Sequence, residues 1–180
     1  MKKIAIYIAS FLLISVTLKL EAQNIGKQDT QQTFKHGVGA GAGFTTGFGL
    51  SYRYMPLRYG VQLNFAPYHS IETDMYSLGL TFLYRLVETQ TANLYLYQGN
   101  HYFYNSQTIY YVDQGKMNQT IDQTNYSNRT VESYVNNGLG IGIEFIIVKR
   151  IGFNIMMGYA TYNNFSEVNF TGETGLYFKF

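Results

Sequence analysis

The sequence predicts an all-β fold, an eight-stranded antiparallel up-and-down transmembrane β-barrel, on three observations. From His36 onward, apolar residues alternate with small or polar ones in segment after segment. A strict period of two is the mark of strands with one greasy and one wet face. Every Lys, Arg, Asp and Glu beyond residue 36 falls in a connection or on the small, polar row, never within the apolar row. The composition agrees: aromatic residues make up 17% and charged residues 13%, where an ordinary soluble domain carries about 25% charged residues. Cys is absent, which excludes a disulfide framework and thiolate metal sites.

Residues 1–22 read as a secretory signal peptide, with Lys2 and Lys3 ahead of an apolar run from Ile4 to Leu18 and Leu20-Glu21-Ala22 before the cut. Its removal leaves ten basic and ten acidic residues, so the charge points to no nucleic-acid partner. Residues 23–35 are polar and aperiodic and read as a flexible periplasmic segment, and 36–180 as the barrel.

The first strand, about Gly37 to Phe44, puts Val38, Ala40, Ala42 and Phe44 on one face and glycines on the other, before a tight Thr45-Thr46-Gly47 turn. The second sets Phe48, Leu50, Tyr52 and Tyr54 against Gly49, Ser51 and Arg53, and Met55 to Arg58 turns the chain. The third sets Tyr59, Val61, Leu63 and Phe65 against Gly60, Gln62, Asn64 and Ala66, with a loop from Pro67 to Asp74. In the fourth, Tyr76, Leu78, Leu80, Phe82, Tyr84 and Leu86 oppose Ser77, Gly79, Thr81, Leu83 and Arg85, and Glu88-Thr89-Gln90 turns. The fifth, about Thr91 to Tyr104, faces Ala92, Leu94 and Leu96 outward and Asn93, Tyr95 and Tyr97 inward; a long polar stretch, about 105–130, follows. The sixth and seventh carry Leu139 to Ile147 and Ile151 to Tyr159 on their apolar rows, and the eighth is Val168 to Phe180. Short connections after strands two, four and six suit the periplasmic side, where an even strand number also puts both ends.

A soluble barrel shows the same alternation with its sense reversed. The charges decide: a lipid-facing Arg or Lys near the midplane costs roughly 2–4 kcal/mol, and the apolar row carries none. That row therefore faces lipid. Its aromatics form two bands, Tyr52, Tyr54, Tyr59, Phe82, Tyr84, Phe145, Phe153, Phe178 and Phe180 at one end and Phe44, Phe48, Phe65, Tyr76, Tyr159 and Phe170 at the other. Such paired girdles suit the two interfaces of a bilayer.

In this alternation and in its GETGLYFKF ending, the chain over residues 36–180 resembles the small outer-membrane barrels typified by the membrane domain of outer-membrane protein A and by outer-membrane protein X. The resemblance implies a Gram-negative cell outer membrane, contact with outer-membrane lipids, and engagement of the barrel-assembly machinery by the strand ending at Phe180. It carries no functional motif.

Five charges fall on the inward row: Arg53, Arg85, Glu144, Glu173 and Lys179. In a narrow lumen they are expected to pair, because an unpaired charge there is expensive. A salt-bridge network that fills the lumen is the favoured reading and a gated ion path the alternative, since eight strands leave room only for side chains. A third reading is an enzyme on lipid A, and His69-Ser70-x-Glu72 is a weak mimic of a His/Ser/Glu arrangement. No catalytic residue, cofactor or metal ligand is assigned. The long segment is β-prone around Tyr102, Tyr104, Tyr110 and Tyr111, with Asp113-Gln114-Gly115-Lys116 as a turn, and is a candidate external hairpin for binding a surface protein partner. The function read from the sequence is thus non-enzymatic, adhesive or envelope-structural.

Overall fold

The computed structural model describes residues 34–111 and 126–180. The expected signal peptide, most of the segment 23–35, and the expected turn at Asp113 to Lys116 fall outside the described residues. Eight strands follow in chain order: β1 (His36–Gly43), β2 (Gly49–Tyr54), β3 (Tyr59–His69), β4 (Thr73–Glu88), β5 (Ala92–Tyr111), β6 (Tyr126–Val148), β7 (Ile151–Tyr162) and β8 (Glu167–Lys179). Each pairs antiparallel with the next, and β1 pairs with β8 from Gly37↔Lys179 to Gly43↔Glu173, which closes the ring.

Closure satisfies every ladder from both sides, so backbone polar groups need no water where the strands cross a membrane. The seam is fastened at its end, where His36 N–H donates to Phe180 O (3.1 Å) and Phe180 N–H to His36 O (2.9 Å). We call this end, with the turns at 55–58, 89–91 and 149–150, the base. The opposite end is the rim.

The two rows sort as alternation requires. Leu50, Leu63, Leu80, Ile141, Ile155 and Leu176 are exposed on the outer surface, Leu50 to 76%. Ser51, Gln62, Asn64, Thr81, Asn154 and Thr171 are buried in the lumen. β5 takes the parity expected, with Asn93, Tyr95 and Tyr97 inside and Leu96 outside. A water-soluble protein rarely exposes so continuous an apolar surface, so this surface is a lipid contact. Register gathers the aromatic bands: Tyr59 lies opposite Tyr84 and Phe145 opposite Phe153 toward the base. Toward the rim, Tyr76 and Tyr104 rings lie 5.9 Å apart and Tyr159 and Phe170 rings 6.2 Å apart.

Three local expectations change. β3 runs on to His69 and β4 starts at Thr73, so the expected Pro67–Asp74 loop is only a tight connection at residues 70–72. Pro67, in β3, lies opposite Tyr76 of β4 without disrupting the ladder. Phe48 leaves the outer girdle and packs against His101 and Phe103 (centroids 5.9 and 6.1 Å). β5 and β6 are far longer than expected, because they continue to pair with each other beyond the rim.

Candidate functional site

The lumen is built in two polar layers. Near the base, Glu144 of β6 is fully buried and accepts from four side chains. They are Arg53 Nη1 (2.9 Å), Lys179 Nζ (2.6 Å), Asn93 Nδ2 (3.0 Å) and Tyr95 Oη (2.7 Å). Arg53 directs its other nitrogens to Gln62 Oε1 (3.1 and 2.7 Å) and lies over the Tyr177 ring, 4.0 Å from its centroid. Gln62 Nε2 donates in turn to Asn64 Oδ1 (3.1 Å). On the base side of these groups, Arg53, Tyr95, Glu144, Tyr177 and Lys179 share with His36, Met55 and Arg85 the lining of a small cavity of about 30 Å³.

Of the five inward charges expected to form one network, the structure joins three. Arg53, Glu144 and Lys179 meet because closure brings β2, β6 and β8 to one level. Arg85 instead pairs with Glu88 (2.5 Å), three residues on in the same strand. Glu173 meets no cation within salt-bridge distance among the described residues. It lies six residues along β8 from Lys179, about 20 Å of strand, too far for either cation of the Glu144 cluster.

Glu173 is held by a different device. The Thr45-Thr46-Gly47 turn folds inward instead of standing above the rim, and both threonines are buried. Thr45 donates to Glu173 Oε1 through its N–H (3.2 Å) and hydroxyl (2.6 Å). Thr46 does the same to Oε2 (3.2 and 2.8 Å), and the Thr171 hydroxyl adds a bond to Oε1 (2.9 Å). Charge-assisted hydrogen bonds from backbone and hydroxyl donors replace a counter-ion.

The turn is also pinned from the opposite wall. Asn64 Nδ2 donates to Gly47 O (3.0 Å), and Asn136 Nδ2 to Phe44 O (3.1 Å). His101 Nδ1 lies 3.0 Å from Phe44 O, and since a carbonyl only accepts, that nitrogen carries the proton. Nε2 then accepts from the Ser77 hydroxyl (3.0 Å), while Ser77 Oγ accepts from Phe48 N–H (3.1 Å). The Ser–His contact is thus a clamp on the turn, shut away from solvent. Glycines make the room: a Cβ at Gly99 would lie 2.7 Å from Thr45 O, and one at Gly79 would collide with Thr46 O.

The His69-Ser70-x-Glu72 mimic does not assemble. His69 Nδ1 pairs with Asp74, and Ser70 Oγ accepts from Glu72 N–H (3.3 Å) in the same short turn. Asp74 also pairs with Arg129 (3.2 Å), whose Nε donates to Ser106 Oγ (2.7 Å). This chain of contacts ties β4, β5 and β6 together where the long strands leave the rim. Sequence reasoning missed the inward turn and Asp74–Arg129, since both join residues far apart in the chain.

Beyond the rim stands the arm. β4 reaches Thr73, opposite Gln107, and β7 meets β6 only from Asn137↔Thr161 baseward. β5 and β6 nevertheless stay paired up to Tyr111↔Tyr126. Of the four tyrosines expected in an external hairpin, Tyr102 is exposed on the outer surface and Tyr104 packs at a tilt against Tyr76. Tyr110 and Tyr111 continue β5 in the backbone, and their side chains lie outside the described residues.

No protein-family model matches the sequence, and no curated protein matches it. Similar solved structures include the N-terminal β-barrel domain of Pseudomonas aeruginosa OprF, at 15% identity over 81% of this chain and 95% of that one, TM-score 0.44. A major outer membrane protein from Thermus thermophilus is 17% identical over 83% and 100%, TM-score 0.48. Ail, the attachment invasion locus protein of Yersinia pestis, is 16% identical over 81% and 96%, TM-score 0.39. The closed ring and the lipid-facing belt stand without them: this chain folds as a small eight-stranded transmembrane β-barrel.

Proposed function

We propose that this protein is a non-enzymatic outer-membrane barrel that engages a surface protein partner through the arm of β5 and β6. The observation that carries the reading is the pairing from Gln107↔Thr130 to Tyr111↔Tyr126, which prolongs two strands beyond the ring that their neighbours share. From Tyr126 to Tyr134, β6 has no strand beside it on its β7 side among the described residues, a length of about 26 Å. Free strand edges are templates for an added strand, and the main chain then supplies the affinity. Ile109 and Val131 are exposed along the arm and offer apolar anchors.

The lumen supports the same reading. Both buried carboxylates, Glu144 and Glu173, are committed to donors that hold the barrel shut, and the buried His101 has both ring nitrogens committed. Deleting Gln107 to Ser127 is expected to leave membrane insertion and the boiling-dependent shift in gel mobility intact while abolishing partner binding. A loss of insertion would make the segment structural and overturn the proposal. Mass spectrometry of lipid A from cells with and without the gene tests the enzymatic alternative, and no change is expected.

A further inference from the structure

We propose that the rim end of the lumen is a binding site for a neutral saccharide, distinct from the arm. The inward turn is its floor. Above that floor the inward rows of three strands continue and leave space between them among the described residues: Tyr134 and Asn136 of β6, Tyr162 of β7, and Glu167 and Asn169 of β8, with Phe44 below. They enclose an open cleft of about 340 Å³, within the roughly 300–1,000 Å³ of small-molecule sites, for which barrel mouths are a favoured location.

The third wall is a strained turn. Asn163, Asn164 and Phe165 have φ of 50°, 58° and 71°, and for a bulky Phe the left-handed region is an outlier. Two contacts hold it there. Asn163 N–H donates to Asn136 Oδ1 (3.2 Å), and Asn164 exchanges bonds with the Val135 backbone (3.0 and 3.2 Å). Strain of this kind collects at ligand clamps, where the surroundings over-determine the backbone.

The lining selects the chemistry. Among the described residues it contains rings, amides and one carboxylate, and no Lys or Arg. A phosphate or sulfate group would meet Glu167 without a cation to offset the repulsion. A cage for an amine needs several free ring faces. Here Phe103 covers one face of Tyr134 (5.0 Å, 30°), and Phe44 meets Tyr162 edge to face (6.2 Å, 75°). A sugar needs one ring face for its C–H surface, and side-chain amides and a carboxylate for its hydroxyls. Glu167 and Asn169 are exposed at the cleft and offer those groups.

The test is saturation-transfer NMR on the full chain folded in detergent micelles, with maltose and N,N′-diacetylchitobiose as neutral probes and choline and inorganic sulfate as charged ones. Transfer to at least one neutral disaccharide is expected, with affinity falling about fivefold when one hydrogen bond is removed by Asn169→Ala. A comparable loss is expected for Tyr162→Ala, and little change for Glu167→Gln. Each variant is first checked for the folded band on unboiled gels. Vesicles of lipopolysaccharide with neutral core sugars are then added: displacement of the disaccharide assigns a lipid-linked source, and its persistence a soluble glycan. The proposal is overturned if neither disaccharide shows transfer, if the signal survives both Asn169→Ala and Tyr162→Ala, or if choline binds and Glu167→Gln abolishes it.

Discussion

Glu144 shows how much one side chain decides in this lumen. It is wholly buried, and Arg53, Lys179, Asn93 and Tyr95 all point their donors at it. Removing one partner of a buried pair leaves the others uncompensated, at a cost of roughly 3–5 kcal/mol. Glu144→Gln is therefore expected to lower stability by about 3 kcal/mol in urea titrations of the barrel in lipid vesicles. Lys179→Met should cost less than that, because Arg53 still faces Glu144 after the change. The chain has no Trp, so far-UV circular dichroism and gel mobility are the readouts. Two glycines make a second contrast. At Gly79 a methyl group runs into the Thr46 carbonyl, whereas at Gly172 it meets nothing within 4 Å. Gly79→Ala is expected to destabilise by roughly 1–3 kcal/mol through overpacking. Gly172→Ala should be neutral or slightly stabilising, by up to about 1 kcal/mol. The inward side of these residues was legible in the sequence, but their partners were not. Alternation says which way Arg85 points; only the end geometry of β4 says that Glu88 curls back to meet it.

At the level of elements, the arm and the inward turn carry the interest. Val135 turns its N–H and C=O toward the β7 side, where Asn164 takes both. The two-residue period puts the backbone groups of Val131 and Ser133 on that same open side. Proline is tolerated where a strand's N–H faces outward from an edge. Ser133→Pro should accordingly leave the β5–β6 ladder and the folded gel band unchanged while weakening partner binding at least tenfold. Unaltered binding would place the contact on side chains instead of the edge. Most strands of the ring were readable because their lipid rows are apolar, while β5 interrupts its outer row with Gln98 and Asn100. The arm was harder to read: beyond the rim both faces meet water, the apolar row thins out, and a polar sequence in a strand resembles a polar loop. The inward turn was read as an ordinary tight turn for a related reason, since nothing local in Thr-Thr-Gly reveals a carboxylate 127 residues away.

For the molecule as a whole, two stacked layers close the lumen, the Glu144 cluster near the base and the Glu173-held turn nearer the rim. Planar-bilayer recordings of the parent protein are expected to show no steady conductance steps. Glu144→Gln should stay silent as well, because the turn remains anchored by Glu173, His101, Asn64 and Asn136. Steps in the parent protein would revive the channel reading. The sequence by itself determined the sorting of side chains, and with it the strand number, the antiparallel order and the medium outside, because alternation is a local property and an ion in lipid is too costly to misplace. Only the tertiary structure decided which lumen groups meet and which end of the lumen stays open. Those contacts follow from closure and register, which join residues as distant as Arg53 and Glu144, and from an inward fold of the first turn that glycines on other strands make room for.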